Sequence, residues 1–198
     1  MEFRDIDKLI GLILVEYDRV CSEWSKAHGG KLPNLKKKLV RDIRADSRIF
    51  AYVSGYRAFL SGELHTGQFN IPQVSYRVKA QNSLESKVQR YIDEKEEHGL
   101  SPINKCVNDL FGLRIVHAGE VIFEELYEHI ESSFGLKCID ASKADYIATH
   151  IYFKKDNYSF PWELQVWEES RSKANLISHH KYKQDYASWE REAEGGEE

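Results

Sequence analysis

Apolar residues recur at three- and four-residue spacing early in the chain: Ile6, Leu9, Ile10, Ile13, Tyr17, Val20 and Trp24. That period lines them along one stripe and predicts an amphipathic helix from Asp5 to about Ala27. Gly29-Gly30 closes it. Pro33 stands where a first helical turn begins. A second helical stretch is expected from there to about Leu60, with Leu35, Leu39, Ile43, Phe50 and Val53 on one face and Gly55 as a point of interruption. The period then changes. Gly67 and Pro72 bound a loop, and Val74 to Lys79 alternates as a strand does. Asn82 or Ser83 is positioned to cap a helix running from Leu84 to about Glu97, with Glu85 near the capping-box position. Leu113 to Val116 predicts a short buried strand. Val121 to Phe134 predicts a helix, stopped by Gly135. Lys137 to Asp140, Tyr146 to Phe153 and Trp162 to Trp167 are three further strands, and a last helix is expected from Glu169 to Trp189.

Two helices followed by β-α-β-α-β-β-β-α predict an α+β fold, a mixed β-sheet flanked by helices. The expected division is an N-terminal helical region over 1–66, a principal domain over 67–189 and an acidic tail over 190–198. The 198 residues, with 12% aromatic content, exclude a disordered chain. The net charge of -4 is misleading, because the tail alone holds five acids and one base. The rest of the chain is formally neutral. No apolar run approaches the roughly 20 residues of a membrane helix. The first residues lack the basic and small-residue features of a signal peptide. Three widely spaced cysteines (Cys21, Cys106, Cys138) argue against a disulfide framework and fit a reducing cytoplasm.

Four constellations can carry chemistry. In the first, Arg77 and Lys79 share one face of a strand, while Ser83 and Lys87 share one face of the helix that follows. Cations gathered at a helix N-terminus suit a polyphosphate; the plain alternative is an edge strand with ordinary surface bases. In the second, Asp109 precedes a buried strand that contains Arg114. A carboxylate there can hold Mg²⁺ against phosphates, or it can cap a turn while Arg114 pairs with an acid. In the third, Glu163 and Gln165 alternate within an apolar strand and share a face. A buried glutamate needs a metal or a cationic partner, which makes Glu163 a metal ligand or a general base; otherwise this face is the solvent side of the sheet. The fourth is Tyr146 and His150 at a strand start, with His179-His180-Lys181-Tyr182-Lys183 further on. A tyrosine face can stack on a base. Adjacent histidines on a helix diverge and make a poor metal pair. His65 and His129 are expected to be structural.

Together these blocks resemble the synthetase domain of the RelA/SpoT family over about Ser75 to Lys183. The matching order is Arg77-x-Lys79-x-x-x-Ser83-x-x-x-Lys87, then Asp109-x-x-Gly112-x-Arg114, then Glu163-x-Gln165, then His179 ahead of Tyr182-Lys183. The resemblance implies a nucleotidyltransferase-like synthetase domain. It also implies a pyrophosphokinase that moves the β,γ-diphosphate of ATP to a ribose 3′-hydroxyl. By match, Arg77, Lys79, Ser83, Lys87 and Arg114 would hold ATP. Asp109 would bind Mg²⁺, and Glu163 would bind metal or take the hydroxyl proton.

The departures from the family pattern fall on the acceptor side. The family loop Gly-Tyr-Arg-Ser-x-His is matched by Asp145-Tyr146-Ile147-Ala148-Thr149-His150, which keeps only the Tyr and His. Lys143 stands for the lysine ahead of it, and Gln165 completes the acceptor set. An alternative alignment places Tyr146 on an earlier Asp-Tyr-Ile element. Trp167 stands where the family commonly has Arg. The resemblance therefore implies a small stand-alone synthetase whose acceptor is open. The favoured reading is a toxic member, paired with an antitoxin protein, that modifies the tRNA 3′ CCA end. The alternatives are a GDP/GTP pyrophosphokinase making an alarmone, and a nucleotide- or RNA-binding module without turnover. The basic stretch Lys31, Lys36, Lys37, Lys38, Arg41 and Arg44 suits RNA phosphates or is a solvated face near Asp42 and Asp46.

Overall fold

The computed structural model describes residues 3–93 and 98–178. Helix α1 spans Arg4–Ala27 and buries all seven residues of the predicted stripe. Its charged face holds Glu16, which is also buried, with Arg19 across one turn and the His65 backbone N–H donating to it at 2.7 Å.

The second helical stretch is shorter than its pattern suggests. Residues 31–39 form turns rather than helix, so Pro33 starts no helix. Helix α2 covers Val40–Ala45 and α3 covers Ser47–Glu63. The break falls at Asp46, which is extended and whose carboxylate accepts the Arg48 N–H, capping α3. Gly55 does not interrupt α3. A Cβ there would sit 3.6 Å from the Trp24 ring, an ordinary contact. The inward face of α3 is Val53, Tyr56 and Leu60, while Phe50 is exposed.

After a 3₁₀ turn at Thr66–Phe69 come strand β1 (Val74–Val78) and helix α4 (Gln81–Asp93). Helix α4 begins earlier than expected, which puts Asn82 and Ser83 inside its first turn instead of at its cap. A one-turn helix α5 (Ile103–Cys106) precedes strand β2 (Phe111–His117). Helix α6 (Phe123–Phe134) ends on Gly135, whose φ of 62° is the left-handed cap that glycine adopts freely. Strands β3 (Lys137–Asp140), β4 (Thr149–Phe153) and β5 (Trp162–Glu168) follow. Strand β4 starts at Thr149 and not at Tyr146. A tight turn pairs Lys143 with Tyr146 through two backbone bonds and holds Ala144 at φ 52°. A 3₁₀ turn at Glu169–Arg171 leads into helical residues 172–178. The rest of the expected last helix, with His179, Tyr182 and Lys183, and the acidic tail lie outside the described residues.

The five strands form one mixed sheet in the order β1-β2-β5-β4-β3. Only β2 and β5 run parallel. The α+β expectation is met. One sheet face carries Phe111, Leu113, Ile115, Trp162, Leu164 and Val166, all buried. The N-terminal helices pack against this core. Tyr17 donates to the Phe160 carbonyl at 3.1 Å, Tyr56 stacks on Phe160, and the Trp162 indole N–H donates to Tyr56 at 2.9 Å. Among the described residues, no helix is long and apolar enough to cross a membrane.

Candidate active site on the polar sheet face

The opposite sheet face is polar, and strand register determines who meets whom. Arg77, Gly112, Glu163, Tyr152 and Lys137 lie in one row across β1, β2, β5, β4 and β3. The adjacent row is Ser75, Arg114, Gln165, His150 and Ile139. Neighbouring members of a row share a face and stand about 5 Å apart. Glu163 and Gln165 are only 5% and 8% exposed. This is not a solvated side of the sheet, and a polar face so covered needs internal partners.

At one end of the face, Asp109 is gripped by two lysines. The Lys79 ammonium donates to Oδ2 at 2.7 Å and the Lys87 ammonium to Oδ1 at 2.9 Å. Lys87 also donates to Asn108 at 3.0 Å, and Arg77 stands 4.0 Å from Asp109. The chain supplies this cluster from three places. Lys79 follows β1 and is held by its N–H to the Leu110 carbonyl, Lys87 comes from α4, and Asp109 enters β2. Burial would raise the Asp109 carboxyl, but the Lys87 and Lys79 charges outweigh it and hold it far below the usual carboxylate range. Lys87 is raised, since Asp109 overcomes its burial. Lys79 is lowered, by burial first and then by the Lys87 and Arg77 charges, against the pull of Asp109. One carboxylate cannot compensate three cations, so the cluster keeps an excess of positive charge suited to an anion.

At the centre, Glu163 accepts from Tyr152 Oη and His150 Nδ1 on Oε1, both at 3.0 Å, and from Gln165 Nε2 on Oε2 at 2.9 Å. Burial raises its carboxyl, yet the hydrogen bonds from His150 and Gln165 bring it below the ordinary value. The negative charge of Asp109 reaches it and opposes that shift. Glu163 is thus ionised at neutral pH, able to orient a hydroxyl or a cation and to accept a proton.

Beyond Glu163 a donor chain runs outward. Trp167 Nε1 lies 3.3 Å from Tyr146 Oη, which is 2.9 Å from His150 Nε2. With the imidazole in its Nδ1–H tautomer, every donor from Trp167 to Glu163 meets an acceptor. Burial and the Glu163 charge push the Tyr146 phenol up to about 12, so it stays a donor. Its ring stands edge-on to both Trp167 and His150. Among the described residues, Arg114 forms no ion pair with an acid. Its guanidinium lies over the Trp167 ring, with long contacts of 3.4 Å to Gln165. Ser75, Arg77, Gly112, Arg114 and Gln165 line an open cleft.

The structure therefore brings Arg77, Lys79, Lys87 and Asp109 together, and separately Glu163, Gln165, His150 and Tyr146. Arg114 and Gln165 join the two. Ser83 is exposed in the first turn of α4, and Lys143 is exposed in its turn. Three contributors are not evident from the chain pattern. Asn108 anchors Lys87, and Tyr152 holds Glu163. Asn175, fully buried, bonds both the N–H and C=O of Ile147 and secures the turn that carries Tyr146. The period-two position of Tyr152 opposite Glu163 was the available signal for it; for Asn175 there was none. His129 pairs with Asp7 at 2.7 Å and ties α6 to α1, a structural role.

Among the described residues, no group of three His, Cys, Asp or Glu side chains gathers for a metal. Magnesium needs less, because it binds through one or two carboxylates together with substrate phosphates. Asp109 and Glu163 are both ionised, and each already accepts hydrogen bonds on both of its oxygens, so a metal there would compete with Lys79, Lys87, Tyr152, His150 and Gln165.

No family model matches the chain, and no curated protein matches it. Among solved structures, it is similar to the small alarmone synthetase 1 from Bacillus subtilis. The match has 18% identity, covers 72% of this chain and 76% of that chain, and has a TM-score of 0.40. The same synthetase bound to its product pppGpp matches at 16% identity, 72% and 77% coverage and a TM-score of 0.40. Small alarmone synthetase 2 from Bacillus subtilis matches at 15% identity, 73% and 79% coverage and a TM-score of 0.37.

Proposed function

We propose that this protein is an ATP-dependent diphosphotransferase acting on a ribose 3′-hydroxyl. The hydroxyl oxygen attacks Pβ of ATP. The bond from Pβ to the oxygen bridging to Pα breaks, AMP leaves with that oxygen, and the hydroxyl proton passes to Glu163 or to water. The carrying observation is one polar sheet face with a buried, ionised Glu163 at its centre and an over-compensated Asp109 at one end. Such transfer depends on cations at the moving oxygens and on placement of the acceptor.

Arg77, Lys79, Lys87 and Arg114 bind ATP in this reading, with Ser83 at the N-terminus of α4 as a further phosphate contact. Triphosphate oxygens compete with Asp109 for Lys79, the more loosely compensated ammonium. Asp109 and Glu163 would hold Mg²⁺, which when bound supplies charge neutralisation on the diphosphate. Tyr146, His150, Gln165 and Lys143 face the acceptor.

For the acceptor we favour the 3′ CCA end of tRNA, as in a toxin restrained by an antitoxin protein in the cytoplasm. Two observations support this over a guanine nucleotide. The Tyr146 ring is set edge-on between Trp167 and His150, and the loop lacks the Gly, Arg and Ser of the family pattern. Incubation with γ-labelled ATP and either a tRNA transcript or GDP and GTP tests the proposal. Label in tRNA that is lost on trimming its 3′ end supports it. Label in the guanine nucleotide moves the acceptor, and label in neither leaves a nucleotide- or RNA-binding module. Expression of the wild type should stop growth, whereas the Glu163→Gln variant should not; equal growth removes the toxin reading.

A further inference from the structure

The row that carries Glu163 ends on Lys137 at the edge strand β3, two strand spacings away, roughly 10 Å. Arg77 ends the same row at a similar distance on the other side. Two more lysines gather beside Lys137. Lys154 directly follows β4, two residues beyond Tyr152, and its ammonium donates to Asn157 Oδ1 at 3.1 Å. The backbone of Asn157 accepts the Leu35 N–H at 2.8 Å, which pins the 31–39 loop here and delivers Lys36. The burial of Lys154 and the charge of Lys36, followed by that of Lys137, hold the Lys154 ammonium below its ordinary value, so the three charges sense one another.

Ordinary surfaces interleave acids with bases, whereas one of the segments that meet here is purely cationic. Residues 29–41 contain five cations and no carboxylate. The next acid, Asp42, accepts the Leu39 N–H at 2.8 Å, and Asp46 is paired with Arg48. Asp156 opposes the lysine charges at Lys154 in part, while its Oδ1 accepts from Tyr158 N, Ser159 N and Ser159 Oγ. Lys36, Lys137 and Lys154 are all exposed. Three cations drawn together from three chain segments, with Lys37 and Lys38 continuing from Lys36, match an anion with phosphates at successive positions.

We propose that Lys36, Lys137 and Lys154 form a docking surface for the RNA backbone of the acceptor, on the side of Glu163 away from Arg77. A nucleic-acid chain suits it better than a mononucleotide, because Lys37 and Lys38 continue the run of cations beyond the three that meet. The inference rests on the proposed transfer to RNA, yet binding tests it separately from chemistry. Anisotropy of a labelled tRNA transcript is followed against salt for the wild type and for a Lys36→Ala, Lys137→Ala, Lys154→Ala triple variant. Loss of three phosphate contacts predicts a salt slope shallower by about 2 log units per log unit. Affinity at low salt should fall at least tenfold. Binding of a fluorescent ATP analogue should stay unchanged, and the triple Lys→Arg variant should restore tRNA binding. Unaltered tRNA affinity and slope in the alanine variant overturn the surface even if tRNA is a good acceptor. A rise in KM confined to GTP overturns it as well, in favour of a mononucleotide subsite. Lysine-dependent tRNA binding with no label transferred sustains the surface and overturns the enzymatic reading alone.

Discussion

Arg114 lies over Trp167, its guanidinium carbon 3.6 Å from the ring centroid. The pair joins two strands, β2 and β5, on the polar sheet face and sits between the Asp109 cluster and the Tyr146 turn. Trp167 is 1% exposed, so it acts as a floor for Arg114 while its N–H reaches Tyr146. Replacement by Phe keeps the ring under the arginine and loses the N–H. We expect Trp167→Phe to lower stability by about 1–2 kcal/mol and Trp167→Ala by about 3–5 kcal/mol. Urea unfolding reads both; equal values would deny the ring its supporting role.

Asp109→Asn leaves Lys79 and Lys87 buried without their counter-charge. Breaking such a pair from one side costs about 3 kcal/mol, and we expect a loss of that order in urea unfolding. The pH dependence has a definite sign. The folded carboxyl is depressed, so its stabilisation is complete above the unfolded value of about 4 and fades as pH falls below it. Wild-type stability should therefore drop below about pH 4 more steeply than that of the Asn variant. Parallel acid-unfolding curves would show that Asp109 is not the group responsible.

Glu163→Gln retains the shape and most hydrogen bonds of the site but removes its central charge. Transfer should fall by about 10²–10⁴-fold while ATP binding persists. Retained turnover in this variant would remove Glu163 from the chemistry.

Tyr152→Phe withdraws one hydrogen bond from Glu163 Oε1. A donor to the ionised form lowers a carboxyl pKa, so its removal raises that pKa. The acid limb of the rate profile should move to higher pH, with the neutral-pH rate nearly kept. A profile that coincides with the wild type would separate Tyr152 from the working state of Glu163.

Much of the fold was legible along the chain. The seven apolar residues of α1 and the alternation of Glu163 and Gln165 are periodicities, and a period determines which side chains share a face. The gathering of Arg77, Lys79 and Lys87 was legible as a spacing, but their meeting on Asp109, about 20 to 30 residues further along the chain, was not. The break at Asp46 was hidden because a cap is a local hydrogen bond that competes with helix propensity. The late start of β4 was hidden for a related reason. The turn of Lys143 and Tyr146 is held by Asn175, a residue 28 positions beyond Ile147.

By itself, then, the sequence determined the order of elements, the stripes that would be buried and the identity of the charged groups. Local propensity and period act over a few residues, and those features need no more. Tertiary structure alone decided that Trp167 underlies Arg114, that Tyr152 and His150 converge on Glu163, and that lysines from three segments crowd together at the sheet edge. These meetings depend on which strands become neighbours and in what register. That choice is made by burial of the whole apolar face at once.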